Sequence, residues 1–276
     1  NEQVKLESYP ATFEFKPTLG HRAVLLIKSK AKPLSSAITN SDPAYVVVNG
    51  IGVAKADVEM VLKTSEPVDN TEAAKASAGL VNEFIEKSHQ LWETHPINVK
   101  RAKAGKLKAN VVLTRDAGHL LPKFFNINER YKVNFACLAD MHAESGIAKL
   151  AGMDSSLLPP PSGNLQQDCE VRVKALLEAL PKHDCFYIHL KGPDEPGHDG
   201  NCQLKTKIIS VIDKCFFGPL LKQISLNDTV ICITSDHATP CGLKVHSDTP
   251  VPVLISGGGS SSGVSVKFSE KQCAKG

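Results

Sequence analysis

The sequence predicts an α/β protein built on a mainly parallel sheet flanked by helices, with a smaller α+β portion ahead of it. From Tyr131 onward, short apolar runs alternate with amphipathic stretches, the pattern of successive strand–helix units. The runs "CFYIHL", "TVICIT" and "VPVLIS" are continuously apolar, as strands covered on both faces are. The chain before Tyr131 has lower apolar content and lacks that alternation.

Taken in order, "HRAVLLIKS" (His21 to Ser29) and "AYVVV" (Ala44 to Val48) read as strands. From Thr71 to about Glu93, the residues Ala76, Leu80, Val81, Phe84, Ile85 and Leu91 recur at helical spacing. A Pro-, Lys- and Gly-bearing stretch follows from His95 to Lys108, and "NVVLTR" (Asn110 to Arg115) is expected to be a strand ending in "DAG". "NFACLADM" leads into a helix that ends near Gly152. "DCEVRVKALLEALPK" places Val171, Leu176, Leu177 and Leu180 on one helical side. "CFYIHL" is the next strand, and "LKTKIISVIDKCFFGPLL" repeats apolar residues at three and four, a helix laid over a sheet. "TVICIT" and "VPVLIS" supply two more strands expected to be buried.

The 276 residues, 42% hydrophobic and 22% charged, suffice for a sizeable core and do not describe a disordered, coiled-coil or collagenous chain. A net charge of +3 gives no ground for a nucleic-acid partner, and the one basic cluster, "KRAKAGKLK", reads as a solvated face. No apolar stretch approaches the roughly 20 residues that span a bilayer, so no membrane partner is expected. The eight cysteines form no C-x-x-C, and several lie inside apolar runs, as free buried thiols do. They point to a reducing compartment, the cytoplasm, without a disulfide framework or a cysteine zinc site. The N-terminus does not read as a signal peptide. The first residue is Asn and the last four are "CAKG", so the chain is expected to be a fragment.

In open parallel sheets, ligands bind outside the carboxyl ends of the strands. "CFYIHL" runs into "KGPDEPGHDG", which carries Asp194 and His198; "TVICIT" runs into Asp236 and His237; His246 stands just before "VPVLIS". Five ligand-type side chains thus fall in three loops at one predicted sheet edge, and carboxylate mixed with imidazole suits zinc, manganese or a related divalent ion. Arg115, at the end of "NVVLTR", is a candidate for holding a carboxylate or phosphate bidentately, with His21 and Arg22 as weaker candidates.

At these residues the sequence resembles a known family. "KGPDEPGHDGNCQLK" followed by "TSDHATPCGLKVHSDTPVPVLI" is similar to the metal-binding half of the 2,3-bisphosphoglycerate-independent phosphoglycerate mutases, in particular their archaeal-type branch, within the alkaline phosphatase superfamily. The resemblance continues through "FKPTLGHRAVL", "LVNEFIEKSHQLWETHPIN" and "ANVVLTRDAG" and so covers nearly all of the chain. It implies an alkaline-phosphatase-like core, of which residues 122–276 would be the C-terminal part, and an inserted cap or substrate domain, of which residues 1–121 would be a part. It implies a two-metal site in which Asp194, His198 and His246 match the three ligands of one metal, and Asp236 and His237 two ligands of the other. The metal would be Mn²⁺ or Zn²⁺, with Mg²⁺ and Co²⁺ in the same class, and no 2,3-bisphosphoglycerate would be needed.

The family's remaining second-site ligands, a strand-end Asp and a nucleophilic Ser, match nothing here and are expected upstream. The helix "MHAESGIAKL" has Ser145 where the family often has a Lys, with Lys149 one turn later. The implied parent reaction interconverts 3-phosphoglycerate and 2-phosphoglycerate through a phosphoserine, a small-molecule isomerisation in glycolysis and gluconeogenesis. This chain would be an incomplete copy, completed by a missing N-terminal segment or a homo-oligomer. Two alternatives accompany that expectation: another phosphatase or phosphomutase of the superfamily, and a non-catalytic metal-binding fragment.

Overall fold

A computed structural model describes residues 3–18, 20–48, 51–55, 61–259 and 267–275. The chain divides into two compact units, Asn1–Pro122 and Lys123–Gly276.

In the first unit, β1 (Ala11–Pro17) and β2 (Ala23–Ser29) form an antiparallel hairpin, and β3 (Tyr45–Val48) pairs with β4 (Ile51–Ala54) in a second. Helix α1 (Glu72–Glu93) begins where the Thr71 hydroxyl accepts from the Ala74 amide, with Glu72 favourably placed in the first turn. Its buried stripe, Ala74, Ala78, Val81, Phe84 and Ile85, follows the expected helical spacing. Phe13 and Phe15 of β1 lie 5.0 and 5.3 Å from the Phe84 ring between centroids, which ties the hairpin to this helix. Helix α2 (Pro96–Lys103) starts with proline in its first turn, where a missing N–H costs nothing, and its basic residues are outside the core.

The expected strand over 110–115 is absent. The segment meets Ser41 and Asp42 at one residue, Thr114, whose carbonyl accepts from both amides and whose own amide donates to the Ser41 hydroxyl. With a side-chain hydroxyl in place of a carbonyl partner, no ladder propagates.

In the second unit, β5 (Phe135–Ala139) is the centre of a three-stranded parallel sheet, between β6 (Asp154–Leu157) and β7 (Cys185–Ile188). Successive β5 side chains point to opposite faces. Leu138 packs among Val173 and Leu176 of α5 (Leu165–Ala179), and Ile212, Phe216 and Leu220 farther along the chain. Cys137 and Ala139 pack against Ala148 of α4 (His142–Leu150). Helices therefore cover both faces, as expected of a buried parallel sheet. A short α3 (Ile127–Tyr131) precedes β5. Helix α6 (Asp194–His198) follows β7, and α7 (Cys202–Ile212) continues through a π turn over Asp213–Phe217 into α8 (Gly218–Leu220).

Two strand expectations need correction. β8 (Val230–Ile233) and β9 (Leu254–Gly257) pair antiparallel with each other and not with the parallel sheet, so Val230 and Ile255 are exposed rather than buried. Tyr187 of β7 is likewise about half exposed. On α5 the core side is Cys169, Val173 and Leu176, with Val171 turned outward and Arg172 turned in. The last described helix is α9 (Glu270–Cys273).

Candidate metal centre

Gly192, at φ 139°, turns the chain after β7, and Pro193 leads into α6, whose ends are Asp194 and His198. Four residues apart on one helical turn, these side chains share a face. Opposite them, the segment after β8 bends back on itself: Ala238 and Ser247 form an isolated antiparallel bridge. That bridge brings His237 alongside His246, with their rings stacked 3.7 Å apart between centroids. The close approach of the two segments depends on glycine, because a Cβ on Gly197 would stand 2.6 Å from the Thr239 carbonyl oxygen.

The Asp194 Oδ1 atom lies 3.4 Å from His198 Nε2 and 3.6 Å from His246 Nε2, and the two nitrogens are 3.2 Å apart. Ligands at about 2.1 Å from a tetrahedral ion are about 3.4 Å from one another, so this triangle has the size of one face of a zinc-type coordination sphere. His237 belongs to the same cluster: ligand atoms of Asp194, His237 and His246 all lie within 4.8 Å of one another.

Hydrogen bonding fixes which imidazole nitrogens are available. His198 Nδ1 is 2.9 Å from the Lys244 carbonyl; a carbonyl only accepts, so Nδ1 carries the proton and Nε2 keeps its lone pair. Thr239 is buried and donates its hydroxyl proton to Asp194 Oδ1 over 2.6 Å. The Thr239 hydroxyl oxygen lies 3.2 Å from His237 Nδ1 and, having given its proton to Asp194, accepts from that nitrogen. His237 Nε2 is thereby also left with a lone pair. Hydrogen-bond partners of this kind orient metal-binding imidazoles and fix their tautomers.

The electrostatics agree. Burial pushes the Asp194 carboxyl upward, but the Thr239 hydrogen bond and the His198, His246 and His237 imidazoles outweigh it, so the group stays ionised below the ordinary carboxylate range. Burial, helped by His237 and His198 and opposed by Asp194, holds the His246 imidazole below its ordinary value. An ionised Asp194 beside a His246 whose protonation is disfavoured suits a divalent cation.

Of the five expected ligands, Asp194, His198, His237 and His246 converge. Asp236 stands at the rim, its Oδ2 3.3 Å from His237 Nε2 and its side chain largely exposed. Thr239 is the member that sequence reading missed. Arg115 lies in the first unit, its guanidinium 3.6 Å above the Tyr45 ring and its Nε 3.6 Å from Asp116 Oδ2. His21 and Arg22 are exposed in the turn before β2. A second polar group, also missed, stands at the carboxyl ends of β5 and β7. There Arg172 pairs with the buried Asp140, and His189 Nδ1 is 3.4 Å from Glu144 Oε1. The Ser145 hydroxyl is buried against that of Ser155, 2.7 Å away, so no cation projects from that position.

The sequence model of the Metalloenzyme superfamily matches residues 10–276. The chain belongs to the Metalloenzyme superfamily. Membership implies a divalent metal, in accord with the Asp194 cluster. Among its relatives, the chain is 40% identical over 276 residues to the 2,3-bisphosphoglycerate-independent phosphoglycerate mutase of Aeropyrum pernix, a match that covers 99% of this chain and 65% of that protein. The protein of the same description from Methanopyrus kandleri is 36% identical, with 92% and 56% covered. The chain thus spans less than two thirds of the length of these relatives.

Among solved structures, the PH0037 protein of Pyrococcus horikoshii aligns with a TM-score of 0.60 at 33% identity, covering 74% of this chain and 53% of that one. A cofactor-independent phosphoglycerate mutase from Thermoplasma acidophilum aligns with a TM-score of 0.50 at 24% identity, over 99% and 62%, and bears on the fold alone. No helix among the described residues is long and apolar enough to cross a membrane.

Proposed function

We propose that this chain is the metal-binding portion of a cofactor-independent phosphoglycerate mutase, acting on 3-phosphoglycerate and 2-phosphoglycerate in the cytoplasm as a step of glycolysis and gluconeogenesis. The observation that carries the proposal is the convergence of Asp194, His198 and His246 at ligand-to-ligand distances of 3.2 to 3.6 Å, in a chain whose relatives bear that description. Asp194, His198 and His246 hold one divalent ion, Mn²⁺ or Zn²⁺. His237 and Asp236 face a second, whose remaining ligands and nucleophilic hydroxyl come from outside these 276 residues. A bound divalent pair supplies charge neutralisation for an in-line phosphoryl displacement.

The chain's own residues do the preparatory work. Thr239 holds Asp194 and His237 in one orientation, and the Lys244 carbonyl holds His198. The two segments are pinned together by Lys205, whose ammonium donates to the Thr239 carbonyl over 2.7 Å. Arg115 is the residue assigned to the substrate's carboxylate or phosphate, with His21 and Arg22 in support; its stacking on Tyr45 presents a guanidinium already fixed in plane.

The test supplies 3-phosphoglycerate and Mn²⁺, without 2,3-bisphosphoglycerate, to the chain alone and to the chain combined with the unmatched third of the Aeropyrum pernix relative. The expected result is metal binding without turnover alone, and formation of 2-phosphoglycerate in the combination, lost with Asp194→Asn. A combination that releases inorganic phosphate and forms no 2-phosphoglycerate would replace the mutase reading with that of a phosphatase.

A further inference from the structure

Beyond the metal cluster, the two segments that carry its ligands meet a second time, beside a pair of cysteines. Cys202 is the first residue of α7, immediately after the α6 corner that bears Asp194 and His198. Cys241 follows Pro240 in the segment that bears Asp236, His237 and His246. Contacts on either side of the two residues bring their stretches of chain together. A Cβ on Gly200, two residues before Cys202, would lie 3.3 Å from the Cys241 carbonyl oxygen. Lys205, three residues after Cys202, reaches the Thr239 carbonyl. The Cys241 sulfur itself is 3.9 Å from the Pro196 carbonyl oxygen of α6.

Cys202 is the neighbour that, ahead of burial, raises Cys241 above the ordinary thiol range, while Lys205 opposes the rise. Both are free; Cys202 is exposed and Cys241 partly so, whereas Cys137 and Cys169 are buried in the core. Small reagents can therefore reach the pair.

We infer that Cys202 and Cys241 form a dithiol modification site that takes low-molecular-weight disulfides and closes to an intramolecular disulfide across the metal-bearing segments. The Cys202 thiolate attacks one sulfur of the reagent, breaking its S–S bond, forming a mixed disulfide and releasing one small thiolate. The Cys241 thiol then loses its proton to solvent and attacks the Cys202 sulfur, expelling the second small thiolate. Two electrons pass from the protein dithiol to the reagent, which leaves as two thiols. The new bond would staple the corner bearing Asp194 and His198 to the segment bearing His237 and His246.

The test treats the intact 276-residue chain, at high dilution, with oxidised glutathione, then counts free thiols and maps cross-linked peptides by mass spectrometry. The expected result is loss of two of the eight thiols, with one peptide pair joining Cys202 to Cys241 in a monomer, reversed by dithiothreitol. With Cys241→Ser, Cys202 should stop at the mixed disulfide. Separate glutathione adducts on both residues of the wild-type chain, retention of both thiols, or a cross-link found only between two chains would overturn the inference. Because the wild-type map decides alone, a variant that fails to fold does not rescue it.

Discussion

The substitution Thr239→Val tests the metal centre through a residue that touches no metal. The Thr239 hydroxyl donates to the ionised Asp194 over 2.6 Å and accepts from His237, so valine removes the link that orients both ligands. Its volume and the methyl packed against Gly197 are retained, and the Lys205 contact is made to the backbone carbonyl. A hydrogen bond to a charged group contributes about 1.5–3 kcal/mol. At about 1.4 kcal/mol per factor of ten, that corresponds to roughly 10–100-fold weaker Zn²⁺ binding, which matches the usual effect of losing an outer-shell partner. The assay is competition for Zn²⁺ against a chromophoric chelator, with the exposed Thr249→Val as a control expected to bind normally. Unchanged affinity in Thr239→Val would refute the orienting role and the His237 tautomer derived from it.

Three further outcomes follow from the same geometry. His246 and Asp194 both have folded-state values held below their ordinary ones, so the unfolded chain binds more protons as the medium acidifies. Stability from His246 is complete above about pH 6.5 and is lost as pH falls below it; the Asp194 share is lost only below about pH 4. Melting temperatures should therefore drop more between neutral and mildly acid pH for the wild type than for His246→Gln, and equal drops would contradict this. Asp140→Asn leaves the buried Arg172 without its counter-charge and should cost about 3–5 kcal/mol in urea unfolding, whereas Asp140→Leu with Arg172→Met should recover most of it. In the first unit, Glu83 is held at about 2; burial pushes it up, but Lys87, Ser8 and the Glu7 amide outweigh that push. Glu83→Gln should lower the melting temperature at neutral pH, with the difference vanishing as pH falls toward about 2; a difference that persists there would assign the loss to packing instead.

The parallel sheet and the clustering of Asp194 with the histidines were legible because each rests on local pattern. Apolar runs and amphipathic helices alternate after Tyr131, and Asp194 with His198, or His237 with its neighbours, sit just past such runs. What escaped depends on contacts distant in sequence. Thr239 looks like any loop threonine until the Ala238–Ser247 bridge and Gly197 bring it under Asp194. Arg172 breaks the apolar pattern of α5, yet it faces inward because Asp140 waits at the end of β5, 32 residues earlier. Strand pairing was the other failure. "TVICIT" and "VPVLIS" have the composition of doubly covered strands, but composition does not say which edge a strand joins, and here they join each other. "NVVLTR" alternates like a strand, but its backbone pairs with another segment only at Thr114, too little to make a ladder.

The most direct test of the account is anomalous diffraction from crystals of this chain soaked in Zn²⁺. A peak at about 2.0–2.2 Å from the Asp194 carboxylate and from the Nε2 atoms of His198 and His246 is the expected result. Zinc absent from that triangle at saturating concentration, or bound only elsewhere on the chain, would contradict the claim that these residues form the metal centre.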